Sequence, residues 1–178
     1  MDVPTSGESA AHGLRFELLG PLRARRDGAE IPLGPPRQRA VLAVLLLQEG
    51  RPAVLRQPGR GGLGRDAAPP QVRNLVQKYV SGLRRALPDD GPELVGTGSG
   101  YQLSGATVAD LRDRRHLVDE ALAARAAGEP TRARDLARLA EELWRGEFAE
   151  GLRAPYLEAE RLRWAEKRLT GPDTSCRR

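Results

Sequence analysis

Between Leu14 and Gly20 the chain alternates: Leu14, Phe16 and Leu18 are apolar, Arg15 and Glu17 are charged. A period of two is that of a strand with one face buried. Gly20-Pro21 punctuates it, and Leu22 to Arg26 continues extended. Asp27-Gly28 predicts a hairpin turn, because both residues accept positive φ at small cost. Ile31-Pro32-Leu33 is expected to return as a short strand, and Pro32, lacking an N–H, places it at a sheet edge. After Gly34-Pro35-Pro36 the period lengthens. Val41, Leu42 and Val44 to Leu47 cover most of the circumference of a helix from Pro36 to about Glu49, which marks it as buried on several sides. Gly50 closes it.

A second helix is expected from the Pro69-Pro70 pair to Leu87, since proline is tolerated at the first helical positions. At about 100° per residue, Val72, Leu75, Val76, Tyr79, Val80, Leu83, Ala86 and Leu87 fall on one side. The other side holds Arg73, Asn74, Gln77, Lys78, Ser81, Arg84 and Arg85: cations, amides and a hydroxyl, with no carboxylate. Beyond a turn at Pro88-Asp89-Asp90-Gly91-Pro92, two short runs follow. Glu93-Leu94-Val95 and Tyr101-Gln102-Leu103 flank a glycine-rich tip, Gly96-Thr97-Gly98-Ser99-Gly100, in the manner of a wing.

From Thr107 the pattern is wholly helical. One helix runs from Val108 to Ala127 and stops at Gly128; its apolar residues are Leu111, Leu117, Val118, Ala121 and Leu122. A second begins at Thr131 with Ala133, Leu136, Ala137, Leu139, Ala140, Leu143 and Trp144 on its apolar face. A third, Pro155 to Leu169, carries Tyr156, Leu157, Ala159, Leu162, Trp164, Ala165 and Leu169. Amphipathic helices paired through a short Gly-Glu-Pro connection suggest a helical-repeat module.

Composition adds an asymmetry to this outline. Of the 178 residues 39% are hydrophobic, which suffices for a core. The net charge of +5 is unevenly spread. Leu14 to Ala86 holds 14 Lys or Arg against 5 Asp or Glu, a balance of +9; Thr107 to the end holds 15 against 14, a balance of +1. A basic front suits a polyanion. Cys176 is the single cysteine and can form no internal disulfide, so no oxidising compartment is implied. Met1 to Ala11 lacks the basic and apolar regions of a signal peptide. The longest apolar run, Ala40 to Leu47, is too short for a bilayer. A soluble, cytoplasmic protein without a membrane partner is expected, with tails at 1–13 and 171–178.

Cations suit phosphates; Asn, Gln and Arg suit base edges in a major groove. Arg73 and Gln77, in the N-terminal half of the second helix, are candidates for base edges, with Asn74 and Ser81 beside them. Lys78, Arg84 and Arg85 are candidates for phosphates, together with Thr97 and Ser99 at the wing tip, where glycines let backbone N–H groups approach closely. The alternative readings are an ordinary solvated helix face and a plain hairpin. Arg37, Gln38 and Arg39 occupy the first turn of the first helix, where the dipole disfavours cations; they read either as phosphate contacts or as a solvated end. Gly59, Gly61 and Gly64 match G-x-G-x-x-G, but Pro58 before and Pro69-Pro70 after deny it a strand and a helix. Arg51 to Asp66 therefore reads as a flexible loop. His12 and His116 stand apart from any nucleophile or carboxylate constellation, and no metal-ligand spacing occurs. Neither an enzyme nor a cofactor is expected.

Several stretches, in this order, resemble the Streptomyces antibiotic regulatory protein family. They are Leu14-Arg15-Phe16-Glu17-Leu18-Leu19-Gly20-Pro21-Leu22, Pro35-Pro36-Arg37-Gln38-Arg39-Ala40-Val41-Leu42, Asn74 to Leu87, Gly100-Tyr101-Gln102-Leu103, Leu143-Trp144-Arg145-Gly146 and Pro155-Tyr156-Leu157-Glu158-Ala159-Glu160. The resemblance covers roughly Leu14 to Leu169. It implies an α+β winged helix-turn-helix domain of the OmpR type (14–105), followed by an all-α, tetratricopeptide-like bacterial transcriptional activator domain (106–170). The implied function is that of a sequence-specific DNA-binding transcriptional regulator, an activator of a biosynthetic gene cluster, associated with the nucleoid. Its partners would be double-stranded DNA and, through the helical part, RNA polymerase or another copy of itself.

Two departures qualify the resemblance. Where the family carries a helix before the double proline, this chain has Pro58 to Gly64. Losing that helix removes two or three Leu-type side chains worth ~2–5 kcal/mol each, against ~5–15 kcal/mol for a whole domain. The activator domain is also shorter than the family's. A helical-repeat protein-interaction adaptor with impaired DNA binding is the alternative these departures leave.

Overall fold

The computed structural model describes residues 13–54, 70–98 and 100–169. Its elements run β1 (Arg15–Glu17), β2 (Arg23–Arg26), β3 (Ala29–Glu30), α1 (Pro36–Leu47), β4 (Ala53–Val54), α2 (Pro70–Ala86), β5 (Glu93–Thr97), β6 (Gly100–Ser104), α3 (Ala109–Ala126), α4 (Pro130–Glu142) and α5 (Pro155–Leu169). Strands β1-β2-β3 form one antiparallel sheet, and β4-β6-β5 a second. The expected loop at 51–66 lies outside the described residues from 55 on, as do both tails apart from Gly13; its start, Ala53–Val54, pairs with Tyr101 and Gly100.

The hairpin forms where Asp-Gly allows it. Asp27 and Gly28 have φ of 51° and 82°. A two-residue turn brings Arg26 opposite Ala29, so the return strand is Ala29–Glu30 rather than the expected Ile31-Pro32-Leu33. Ile31 N–H still donates to the Ala24 carbonyl at 2.8 Å; Pro32 has no N–H with which to continue the ladder.

Helix α1 is buried on several sides, with Ala40, Leu42, Ala43, Leu45 and Leu46 in the core. Gln38 is a correction. Neither a phosphate contact nor a solvated end, it is buried, and its Nε2 donates to the Leu33 carbonyl at 2.9 Å. Its amide lies against Gly82 of α2, where a Cβ would come within 2.1 Å of Gln38 Oε1. A glycine inside a helix costs roughly 1 kcal/mol relative to alanine; here it lets α2 approach the Gln38 amide.

Helix α2 buries Val80 and Leu83, and Leu87 is buried just past its end; Val76, Tyr79 and Ala86 are half-buried. Leu75, expected on that apolar side, is 42% exposed. Burial deepens toward the C-terminal half of α2, so the wheel position alone did not decide its fate.

Helices α3 and α4 pair through small side chains. Ala121 and Ala124 on α3, and Ala133, Ala137 and Ala140 on α4, are all buried. Alanines bring the two axes close and leave larger residues to the flanks. Leu122 and Leu139, expected on apolar faces, are accordingly exposed, as are Tyr156 and Leu162 of α5. Where the three helices converge, Trp164 stacks on Phe148 at 5.4 Å and meets Trp144 edge-on at 6.2 Å. Arg114, buried on α3, lies 5.8 Å and 5.5 Å from the two indole centroids, a cation–π arrangement.

Both halves share one core. Phe16, Leu42 and Leu83 belong to the same cluster as Leu111, Phe148, Leu152 and Leu157. Phe16 forms a parallel bridge with Val108, and Pro21 with Glu150.

Candidate nucleic-acid interface

The face of α2 opposite its buried side carries the candidate residues. Arg73, Asn74, Gln77, Lys78, Ser81, Arg84 and Arg85 are all exposed. No acid lies in the first turn, and Arg84 and Arg85 occupy the last, where the helix C-terminus favours cations. Cations, amides and a hydroxyl thus stand on one unshielded ridge about 25 Å long, given 17 residues at ~1.5 Å rise.

The cations on this ridge are not equivalent. Arg84 turns its guanidinium onto the wing: Nε and Nη2 both donate to the Leu94 carbonyl, at 3.0 Å and 2.7 Å. Arg85 Nε reaches back to the Ser81 carbonyl at 3.3 Å on its own helix. The wing behind them is the β5–β6 hairpin, with Glu93 opposite Ser104 and Thr97 opposite Gly100. Its strands extend further toward the tip than expected, β5 to Thr97 and β6 from Gly100. Thr97 is half-buried, and its Oγ1 is enclosed without a hydrogen-bond partner. Ser99 lies outside the described residues. The connection from α2 to β5 is tied down from the front of the chain: Arg26 grips Asp90 with two hydrogen bonds of 3.0 Å and 2.6 Å.

Asp110 escaped the sequence reading. It sits in the first turn of α3, buried, and accepts N–H bonds from Leu18 (3.0 Å and 2.8 Å) and Leu19 (2.7 Å). Arg145 Nη2 lies 3.2 Å from the same carboxylate and 3.2 Å from Glu17. The carbonyls of Leu18 and Leu19 accept in turn from the N–H groups of Ala149 and Arg145, at 2.9 Å and 2.7 Å. These partners explain why β1 ends at Glu17: the next two residues give their backbone groups to the helical region instead of a sheet. Burial pushes the Asp110 carboxyl above its ordinary value, opposed by the Leu19 and Leu18 N–H groups and by Arg145. In sequence, Asp110 is an ordinary acid at a helix start; nothing nearby announces partners 91 and 92 residues away.

The chain is similar to known proteins. The model of the bacterial transcriptional activator domain matches residues 109–177. The chain is similar to the regulatory protein AfsR of Streptomyces coelicolor, 41% identical over 164 residues that make up 91% of this chain and 16% of AfsR. The transcriptional regulatory protein EmbR of Mycobacterium tuberculosis is 35% identical over 147 residues, 79% of this chain and 37% of EmbR. A solved structure of M. tuberculosis EmbR in complex with a low-affinity phosphopeptide superposes with a TM-score of 0.67 at 28% identity, covering 88% of this chain and 43% of that one. The chain thus spans between about a sixth and less than half of the length of these relatives. With its strand–helix–helix–wing order and the tetratricopeptide-like helices packed behind it, the chain belongs to the Streptomyces antibiotic regulatory protein family.

Proposed function

We propose that this chain is a sequence-specific DNA-binding transcriptional regulator, an activator of a biosynthetic gene cluster. The observation that carries the reading is the acid-free exposed face of α2, mounted on a buried face and flanked by a hairpin wing. Placed in a major groove, α2 presents Arg73 and Gln77 to base edges, with Asn74 and Ser81 alongside; Lys78 and Arg85 meet phosphates. The wing lies over the adjacent backbone. Exposed Leu139 and Leu162 favour a protein contact for the helical region, with RNA polymerase or a second copy of the chain.

The relatives' designations as regulatory and transcriptional regulatory proteins support the same reading. Selection of bound duplexes from a random pool, followed by mobility shifts at several salt concentrations, tests it. A recurring motif is expected, with affinity that falls as salt rises by about 0.9 log units per log unit for each phosphate neutralised. Failure to retain any duplex at low ionic strength would refute the proposal.

A further inference from the structure

We infer that Arg84 is a positioning residue that fixes the wing relative to the recognition helix, and not primarily a phosphate contact. This deepens the DNA-binding reading and rests on it for its consequence at the operator; the contact itself belongs to the free protein.

Strand β5 is the outer strand of the described sheet, in the order β4-β6-β5. Hydrogen-bonded and open pairs alternate along an antiparallel ladder. Counted from Thr97 and Gly100 beside the turn, Leu94 and Leu103 are an open pair, so the Leu94 carbonyl points off the sheet. Its side chain is buried and anchors the strand. Arg84 supplies that carbonyl with two charge-assisted donors from a helix that is itself pinned through Leu83 and Leu87. The base of the wing is held separately by the Arg26–Asp90 fork. Two braces at different heights define an angle, which a single one would leave free to swing. Lysine cannot reproduce the upper brace, because one ammonium on a flexible stem lacks the planar fork. Groove reading by α2 and backbone contact by the wing are thereby coupled through one side chain.

The test compares wild type, Arg84→Lys and Arg84→Ala, all as the full chain. In the free protein, amide hydrogen exchange of 93–98 and 100–104 is expected to quicken by about tenfold in both variants, the scale of one charge-assisted hydrogen bond. Leu42 and Leu45 of α1 serve as the control and are expected to keep wild-type rates, which separates loosening of the wing from general unfolding. Wild-type exchange throughout the wing would overturn the inference. On a selected duplex, hydroxyl-radical footprints of Arg84→Lys are expected to lose protection beneath the wing while guanine N7 protection beneath α2 persists. Should Arg84→Lys footprint like wild type, and Arg84→Ala lower the salt slope by only about 0.9, Arg84 would be a phosphate contact and the inference would fall. If wild type bound no duplex, the DNA-binding reading would fail, and the exchange measurement would still decide whether Arg84 holds the wing.

Discussion

Two of the seams in this molecule are built oppositely. At the seam between α2 and the wing, a cation on an exposed ridge donates to a strand carbonyl. At the seam between the first sheet and α3, a buried carboxylate accepts from strand N–H groups. The first contact is only part-buried, so it can be exchanged for another partner at lower cost than one in the core. The second lies inside the common core, where an unpaired group is expensive. The comparison teaches which half is built to adjust: the wing is braced from outside, while the helical region is fused to the front through backbone groups that have no alternative partner.

The largest effect expected is at the buried seam. Asp110→Ala strands the N–H groups of Leu18 and Leu19 and leaves Arg145 with Glu17 alone. Each buried N–H left unsatisfied costs about 1–3 kcal/mol, to be read from the urea midpoint. Loss of less than about 1 kcal/mol would place that seam in the same class as the part-buried one. Gly82→Ala comes next, because its Cβ would collide with Gln38 inside the α1–α2 crossing. Overpacking there is expected to cost ~1–3 kcal/mol, with partial recovery in the double variant Gly82→Ala/Gln38→Ala. Recovery to zero effect in the single variant would mean that Gln38 swings away freely.

On the exposed side the melt should not move while binding does. Arg73→Ala and Gln77→Ala are each expected to weaken binding to the selected duplex by about 1–3 kcal/mol and to relax preference at one base position. Lys78→Ala should weaken all duplexes alike and reduce the salt slope by about one unit. A change of sequence preference at Lys78 instead would reverse those roles.

The smallest expected effect is a pH dependence. Burial sets the folded Asp110 pKa above the 3.8 of a free aspartate. The folded state then holds its proton more tightly than the unfolded chain does. Its contribution to stability is fully present below that free value and declines as pH rises through the raised one. The margin of wild type over Asp110→Asn, measured by urea unfolding across this range, should therefore shrink with rising pH. A margin that grows would show the N–H bonds and Arg145 outweighing burial.

Much of α2 was legible in sequence because a helix converts spacing directly into faces: Val80, Leu83 and Leu87 went inward, and all seven polar candidates stayed exposed. The hairpin at Asp27-Gly28 was legible because positive φ is a property of those residue types. Leu75, Leu122, Leu139 and Leu162 were not, since the wheel says which residues share a side and nothing about where a neighbour begins or ends. Arg84 was placed on the correct face, but its grip on Leu94 depends on how close a separate hairpin folds.

The sequence alone determined the order of helices and hairpins, the two-sidedness of α2 and the family, because these follow from local periodicity and from words kept in order; the strands Ala29–Glu30 and Ala53–Val54 did not follow from it. Only the tertiary structure decided that Gln38 is buried against Gly82, that Thr97 hides its hydroxyl, and that Asp110 ties α3 to Leu18 and Leu19. The physical reason is that a buried polar side chain is specified by what surrounds it, and Gln38 and Asp110 meet residues 44 and 91–92 positions away that no single stretch encodes.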